Sequence, residues 1–318
     1  WKNMALMSDA ALPRAKGLQL VRDWVSMGVK AVELTGGGEP LIWPFIDEWL
    51  QNMANTSIDV AMVTNGTALT AQRAKLFAST NWKWARVSID AGDREHYRAT
   101  RRVPGRHWDL AWEAVERLVS ARTDGSEKRV GVGFVVDRQH RTGVYDLCRR
   151  AAEVGADNVR VAMSFTPQGL ARIPAEAGPN VLHQIQAARD DFEDEDFRVN
   201  ALFGERLANI SAQVQDYEFC AAKEVLCVVG GDQRVYSCCT LAFNPAGLVG
   251  SIADRSFKDM WWAPETLDWF SRHDAREACK VPCLYEQRNK RALGLMALPI
   301  ADVAVIAKAD QSIHRNFV

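Results

Sequence analysis

Cysteine is scarce in the first two thirds of this 318-residue chain, where Cys148 stands alone. The others, Cys220, Cys227, Cys238, Cys239, Cys279 and Cys283, all follow residue 219. A secreted disulfide scaffold would be shorter and would spread its cysteines throughout, so that class is set aside. Charge of one sign is lacking too: 39 Lys and Arg against 40 Asp and Glu leave a formal net charge of -1. Nucleic acid or an anionic membrane surface as main partner would demand a net basic face. No apolar run reaches the roughly 18 residues of a membrane span. With 47% hydrophobic residues and 11 Trp, intrinsic disorder is excluded as well. The sequence as given opens at Trp1 without a signal-peptide pattern, and a cytoplasmic setting is expected.

What is present is alternation. Apolar runs short enough for strands fall at Val29–Leu34, Asp59–Val63, Trp84–Ile89, Arg129–Val136, Asn158–Met163 and Phe197–Leu202. Between them, 3.6-residue periodicity predicts helices over Pro44–Ala54, Thr70–Ala78, Asp109–Ala121, Thr142–Val154 and Asn180–Asp190. A further helix over 8–27 precedes the first strand and stops at Gly28. Strands alternating with helices at this spacing imply parallel strands joined by right-handed crossovers. Each strand is apolar almost throughout, as expected of a sheet covered on both faces.

Polar residues gather at the strand ends. The first ends in Thr35-Gly36-Gly37-Gly38-Glu39-Pro40, the second in Thr64-Asn65-Gly66, the third in Ser88-Ile89-Asp90-Ala91-Gly92. Any one of these is an ordinary turn sequence. Three in succession, at the ends where parallel α/β folds bind ligands, predict a shared site. The glycines permit close approach of a ligand to the backbone, and Glu39 offers an acceptor for an ammonium group. No Lys follows as a phosphate-binding loop would require, so a ligand with a free amino group fits better than a nucleoside triphosphate.

At these residues the chain resembles the radical S-adenosylmethionine (radical SAM) enzymes. Their second-strand Gly-Gly-Glu-Pro motif, which binds the cofactor's amino group, corresponds to Gly37, Gly38, Glu39 and Pro40. Ser88 and Asp90 are similar to the fourth-strand segment near the methionine carboxylate and ribose, and Asn65 occupies another position that commonly faces the cofactor. Arg101 and Arg102, in the polar loop past Asp90, are candidates for a carboxylate clamp or else solvated loop charges. The resemblance implies a partial (β/α)6 TIM-like barrel over residues 1–210, its first strand missing. The family's Cys-x3-Cys-x2-Cys loop, holder of the catalytic [4Fe–4S] cluster, has no counterpart before Cys148. The expectation is therefore N-terminal truncation, with first strand and triad upstream of Trp1; the other possibility is a member that lost the cluster and only binds.

Residues 211–290 read as a second, small domain. Val225–Val229 and Arg234–Ser237 flank the turn Gly230-Gly231-Asp232 as a hairpin, and Phe257–Phe270 as one helix packed on it. Four thiols, Cys220, Cys238, Cys279 and Cys283, suit tetrahedral Zn²⁺ or a [4Fe–4S] cluster equally well on spacing. Cys239 is an alternative to Cys238, because neighbours on a strand face opposite ways, and Cys227 an alternative to Cys220. These cysteines, with the Asp232–Cys238 and Val249–Ile252 runs, resemble the SPASM or shorter Twitch auxiliary domain, which implies one auxiliary [4Fe–4S] cluster on the four named first. Residues 291–318 are left as a tail.

The resemblance implies an oxidoreductase-like enzyme. A 5′-deoxyadenosyl radical from S-adenosylmethionine would abstract hydrogen, with electrons from a flavodoxin or ferredoxin. Oxidation of a small molecule is the first expectation for substrate and modification of a ribosomally made peptide the alternative. A different class is a non-catalytic binding protein with a four-cysteine zinc site.

Overall fold

The computed structural model describes residues 6, 9–122, 127–138, 141–164, 177–201, 215–279 and 283–298. By internal packing these fall into two units: Ala31–Thr166 with Leu170–Ile210, and Trp1–Lys30 with Pro167–Gly169 and Ser211–Val318.

The first unit is a six-stranded sheet. Strands β1 (Ala31–Leu34), β2 (Asp59–Thr64), β3 (Trp82–Ser88), β4 (Arg129–Val136), β5 (Asn158–Met163) and β6 (Arg198–Ala201) lie side by side in chain order, every pair parallel. With α1 (Arg14–Met27) preceding the sheet, the crossovers carry α2 (Ile46–Met53), α3 (Ala71–Ser79), α4 (Arg94–Arg101), α5 (Arg106–Ser120), α6 (Val144–Glu153) and α7 (Gly178–Phe192). Sequential order with right-handed crossovers sends every helix to one face, the arrangement of a barrel wall. Side chains divide accordingly. On β3, Ala85 and Val87 are buried, whereas Trp84, Arg86 and Ser88 are only partly covered. On β5, Val159, Val161 and Met163 are buried, and Asn158, Arg160 and Ala162 alternate with them. Trp112, Val115 and Leu118 of α5 are fully or almost fully buried, in a helix that packs on β3 and β4.

One stretch differs from its sequence pattern. The polar loop past Asp90 contains α4, capped by Asp93, whose carboxylate accepts from the His96 amide at 2.8 Å. Its residues are too polar for apolar periodicity to show a helix, and the cap is the only strong local signal. Arg101 is therefore the last residue of a helix and Arg102 its left-handed C-cap at φ 55°.

The second unit joins α1 to the C-terminal region, although the sequence pattern grouped that helix with the sheet. The helix starts only at Arg14, after Pro13, rather than at residue 8. Leu20 packs into a buried cluster with Val235, Ile252, Phe257 and Met260. Asp23 accepts from the Phe257 amide at 2.8 Å, and Lys16 donates to the Arg255 carbonyl at 2.9 Å. The expected hairpin is three-stranded and antiparallel: β7 (Val228–Val229), β8 (Arg234–Tyr236) and β9 (Leu248–Ser251). Val225 ends a short helix, Ala222–Val225, instead of opening a strand. The single helix expected over Phe257–Phe270 is two, Phe257–Trp261 and Pro264–Arg272, because Pro264 cannot continue a helix but suits the start of one. Helix Glu286–Met296 runs across the boundary assigned to a tail at 291.

The loops after β3 and β4 meet at two glycines. A Cβ on Gly143, at φ +83°, would stand 2.7 Å from the Gly92 Cα. Backbone cannot yield as a side chain does, so Gly143→Ala should cost about 2–4 kcal/mol from strain and overpacking together. Urea unfolding measures this, and a loss below about 1 kcal/mol would show that the loops part easily.

Candidate functional site

The carboxyl ends of β1, β2 and β3 are tied together by Glu39. Its carboxylate accepts from the Leu41 amide at 3.0 Å, the Thr64 hydroxyl at 2.6 Å and the Asn65 amide at 2.6 Å. Three donors on one carboxylate fix the turn after β1 against the end of β2, leaving Gly36, Gly37 and Gly38 exposed and Pro40 at the start of a one-turn 3₁₀ helix. Around Gly38 there is open space where a Cβ would be. Asn65 turns its side-chain oxygen to the Thr67 amide and hydroxyl, at 2.9 and 2.7 Å.

Past β3, Asp90 takes up φ 58°, and its carboxylate accepts from the Val135 amide at 2.7 Å while pairing with Arg101. Arg101 also reaches the Ser88 carbonyl at 3.4 Å and lies 5.7 Å from the centre of the Tyr97 ring. Tyr97 is buried, which raises its hydroxyl pKa; Arg101 opposes that rise, and Asp90 and Glu39 add to it. Glu39 with Thr64 and Asn65, and Asp90 with Arg101 and Ser88, thus form two hydrogen-bonded groups at the carboxyl ends of β1, β2 and β3. Arg102 is exposed at its cap and joins none of these bonds. The exposed glycine backbone beside two anchored carboxylates fits a ligand with an ammonium group and ribose hydroxyls, as S-adenosylmethionine has.

Among the described residues, the inner face of the sheet, here the trough, lies opposite the crossover helices. Gly131 and Gly133 of β4 line its floor: a Cβ on Gly131 would meet Asn158 Oδ1 at 2.6 Å, and one on Gly133 would meet the Arg86 side chain at 3.3 Å. Glu33 of β1 stays open to solvent, yet the surrounding protein raises its carboxyl pKa, against the pull of Arg86 and Arg160.

In the second unit, Cys220, Cys238, Cys279 and Cys283 line one cavity with Tyr217, Lys223 and Asn289. Asn289, almost fully buried, donates to the Tyr217 hydroxyl at 3.1 Å and to Cys220 Sγ at 3.5 Å, and accepts from the Ala222 amide at 2.8 Å. The Tyr285 amide donates to Cys283 Sγ at 3.3 Å. Burial pushes the Cys238 thiol up to about 11, against amide donors from Leu241 and Thr240 that favour the thiolate. Among the described residues, no three Cys, His, Asp or Glu side chains stand close enough to hold a single metal ion. Cys227 lies outside the cavity, packed beside Leu20 and Val235, and Cys239 is exposed with its sulfur 3.3 Å from the Tyr285 hydroxyl. Cys148 is buried on α6, where desolvation pushes its thiol up to about 12.

Several of these residues carried no sequence signal. Tyr97, Lys223 and Asn289 belong to no spacing pattern; Arg86 and Arg160 sit in runs read only as strands. Period-2 alternation of a charged residue with buried neighbours was the one available sign of a polar inner face.

Residues 10–148, somewhat less than half of the chain, match the model of the Radical SAM superfamily. Mycofactocin maturase MftC of Mycobacterium tuberculosis is 25% identical over 233 residues, 71% of this chain and 56% of that protein. The chain therefore spans little more than half the length of this curated relative. Among solved structures, anSMEcpe with bound AdoMet is similar with a TM-score of 0.58 at 14% identity, over 94% of this chain and 90% of that one. Streptococcus suis SuiB bound to precursor peptide SuiA is similar with a TM-score of 0.60 at 16% identity, over 86% and 65%. At such identities the likeness shows the fold alone, an α/β sheet consistent with a partial TIM-like barrel.

Two outcomes follow from the geometry. Glu39→Ala removes the acceptor shared by the Thr64 hydroxyl and two amides, and should cost about 1–3 kcal/mol in chemical unfolding. In metal-free protein at pH 8, a Cys238 thiol titrating near 11 is ionised to only about one part in a thousand. Iodoacetamide should therefore modify it slowly, faster as pH rises towards 11; rapid labelling at pH 8 would contradict its burial.

Proposed function

We propose that the chain forms part of a radical SAM enzyme that modifies a peptide, holding S-adenosylmethionine at the carboxyl ends of β1–β3 and one auxiliary [4Fe–4S] cluster in the cysteine cavity. The observation that carries the reading is the set of hydrogen-bonded polar strand ends with Glu39, Thr64, Asn65, Ser88 and Asp90, inside the matched segment. When bound beside a reduced catalytic cluster, S-adenosylmethionine supplies one-electron hydrogen abstraction. The family holds that cluster on a Cys-x3-Cys-x2-Cys loop, a pattern the seven cysteines here do not make.

This chain's own residues bind and orient. The Gly36–Gly38 carbonyls take the ammonium group; Glu39 holds that turn in place with its three hydrogen bonds and is a positioning residue. Asp90 and Ser88 would hold the ribose and carboxylate, with Arg101 fixing the Asp90 carboxylate. The peptide would lie along the trough. A flavodoxin or ferredoxin supplies electrons. A peptide is favoured over a small molecule because the similar structures include SuiB with its precursor peptide, and the curated relative is a maturase.

For the cysteine cavity, a tetrahedral zinc site with Zn–S near 2.3 Å needs its sulfurs within about 3.8 Å of one another. The four thiols line one cavity, and the resemblance of this region to an auxiliary cluster domain favours a [4Fe–4S] cluster there over a single zinc ion. Cys220, Cys238, Cys279 and Cys283 would be its ligands, with Asn289 and the Tyr285 amide donating to sulfur and so tuning it.

Anaerobic reconstitution should load about four iron and four sulfide per chain, lost in Cys238→Ala. Stoichiometric zinc without sulfide would instead establish the structural-zinc alternative. S-adenosylmethionine should bind the unreconstituted chain measurably by calorimetry, and Glu39→Ala should weaken it at least tenfold; unchanged affinity removes Glu39 from the site.

A further inference from the structure

The trough carries more positive charge than its own residues neutralise. Arg86 and Arg160 project from β3 and β5 onto the same face, on either side of β4. The register sets Ser88 against Gly133 and Gly133 against Arg160, while the aliphatic stem of Arg86 lies over Gly133 itself. The two glycines of β4 therefore act as a floor that leaves both guanidinium groups room above it. Arg86 Nε is shielded from water and has no hydrogen-bond partner, and the guanidinium lies 5.1 Å from the centre of the Trp84 ring. Desolvation, with the like charge of Arg160, pulls the Arg86 pKa down to about 10; Glu33 opposes this. Even so the group stays charged at neutral pH.

Neither arginine forms a salt bridge within 4 Å among the described residues, and Glu33 is the one carboxylate that acts on both. Ser88, Asn158 and Asn200 beside them on this face are neutral, and the charged residues further along it, Arg129 and Arg198, are again basic. A desolvated guanidinium without an ionic partner is costly, and a second one nearby adds to the cost. Both costs fall when an anion bridges the pair. A planar guanidinium fork matches a carboxylate's two oxygens, and Trp84 presents an apolar ring beside it.

We propose that Arg86 and Arg160 form a substrate subsite that grips a carboxylate on the molecule lying in the trough. This rests on the trough being the substrate channel of the proposed enzyme. It names the substrate class more narrowly: a carboxylate-bearing group, seated at the level of Gly133, with Glu33 on its β1 side competing for the two arginines.

The test is isothermal titration calorimetry of the full chain with glutarate as probe. Glutaramide serves as its neutral counterpart and inorganic phosphate as a differently shaped anion. Glutarate should bind, with glutaramide and phosphate each at least tenfold weaker. Arg86→Gln and Arg160→Gln should each weaken glutarate at least tenfold, while Glu33→Gln tightens it. Equal affinity for glutarate and glutaramide overturns the proposal in the wild-type chain, without reliance on any variant's folding. So does unchanged affinity in Arg160→Gln of native circular dichroism, or phosphate binding as tight as glutarate. Saturating S-adenosylmethionine should leave glutarate affinity unaltered; if it displaces glutarate, the arginines hold the cofactor's own carboxylate and the proposal fails. Failure of S-adenosylmethionine to bind, with glutarate still bound, would sink the radical SAM reading and leave the anion subsite standing.

Discussion

Every crossover in the sheet steps to the next strand in the same direction, and that constraint organises the first unit. Helices are confined to one face, so apolar side chains such as Ala85, Val87, Val159 and Val161 must point there. The opposite residues are then free to be polar without harming the core. Strand ends and inner face are the only places where this architecture spares side chains for chemistry. Glu39, Asp90 and Arg101 use the first; Glu33, Arg86 and Arg160 use the second. The Glu39 carboxylate illustrates the economy of the arrangement. It is a ligand for the protein itself, and by binding Thr64 and Asn65 it keeps the glycine backbone presented at the β1 end.

What was legible in the sequence was whatever repeats or caps. Six apolar runs between helical periods gave the strand count and their parallel order, and the polar motifs at strand ends marked the end of the sheet where they do gather. Cysteine clustering marked the second cavity, which Cys220, Cys238, Cys279 and Cys283 line. Helix α4 was hidden because its side chains are almost all polar, leaving Asp93 as the sole local cue. The division at Pro264 was written in the chain, yet the run of tryptophans around it suggested one continuous apolar face. Asn289 and Tyr217 were beyond reach for a different reason. They meet across 72 positions of sequence, and no local pattern encodes a hydrogen bond of that span.

The trough shows how burial and function are in tension here. A guanidinium that gives up water without gaining a fixed partner lowers the stability of the empty fold. The sheet tolerates it because Gly131 and Gly133 keep the floor free of side chains, so the arginine stems lie flat instead of crowding one another. In the cysteine cavity, thiols held neutral by burial likewise spare the unloaded protein a cluster of negative charge, and loading a metal must first remove their protons.

The bond between Asp23 and the Phe257 amide has a consequence for how the polypeptide comes into being. Its two ends are separated by 234 residues, with the parallel sheet encoded between them. On the ribosome, α1 emerges carrying Leu20 and Trp24 long before Val235, Phe257 or Met260 has been made. The sheet can assemble strand by strand as it appears, but the helix that precedes it waits with its apolar side uncovered. Closing so long a loop is slow, and the interval is one in which a chaperone or a neighbouring nascent chain meets that surface first.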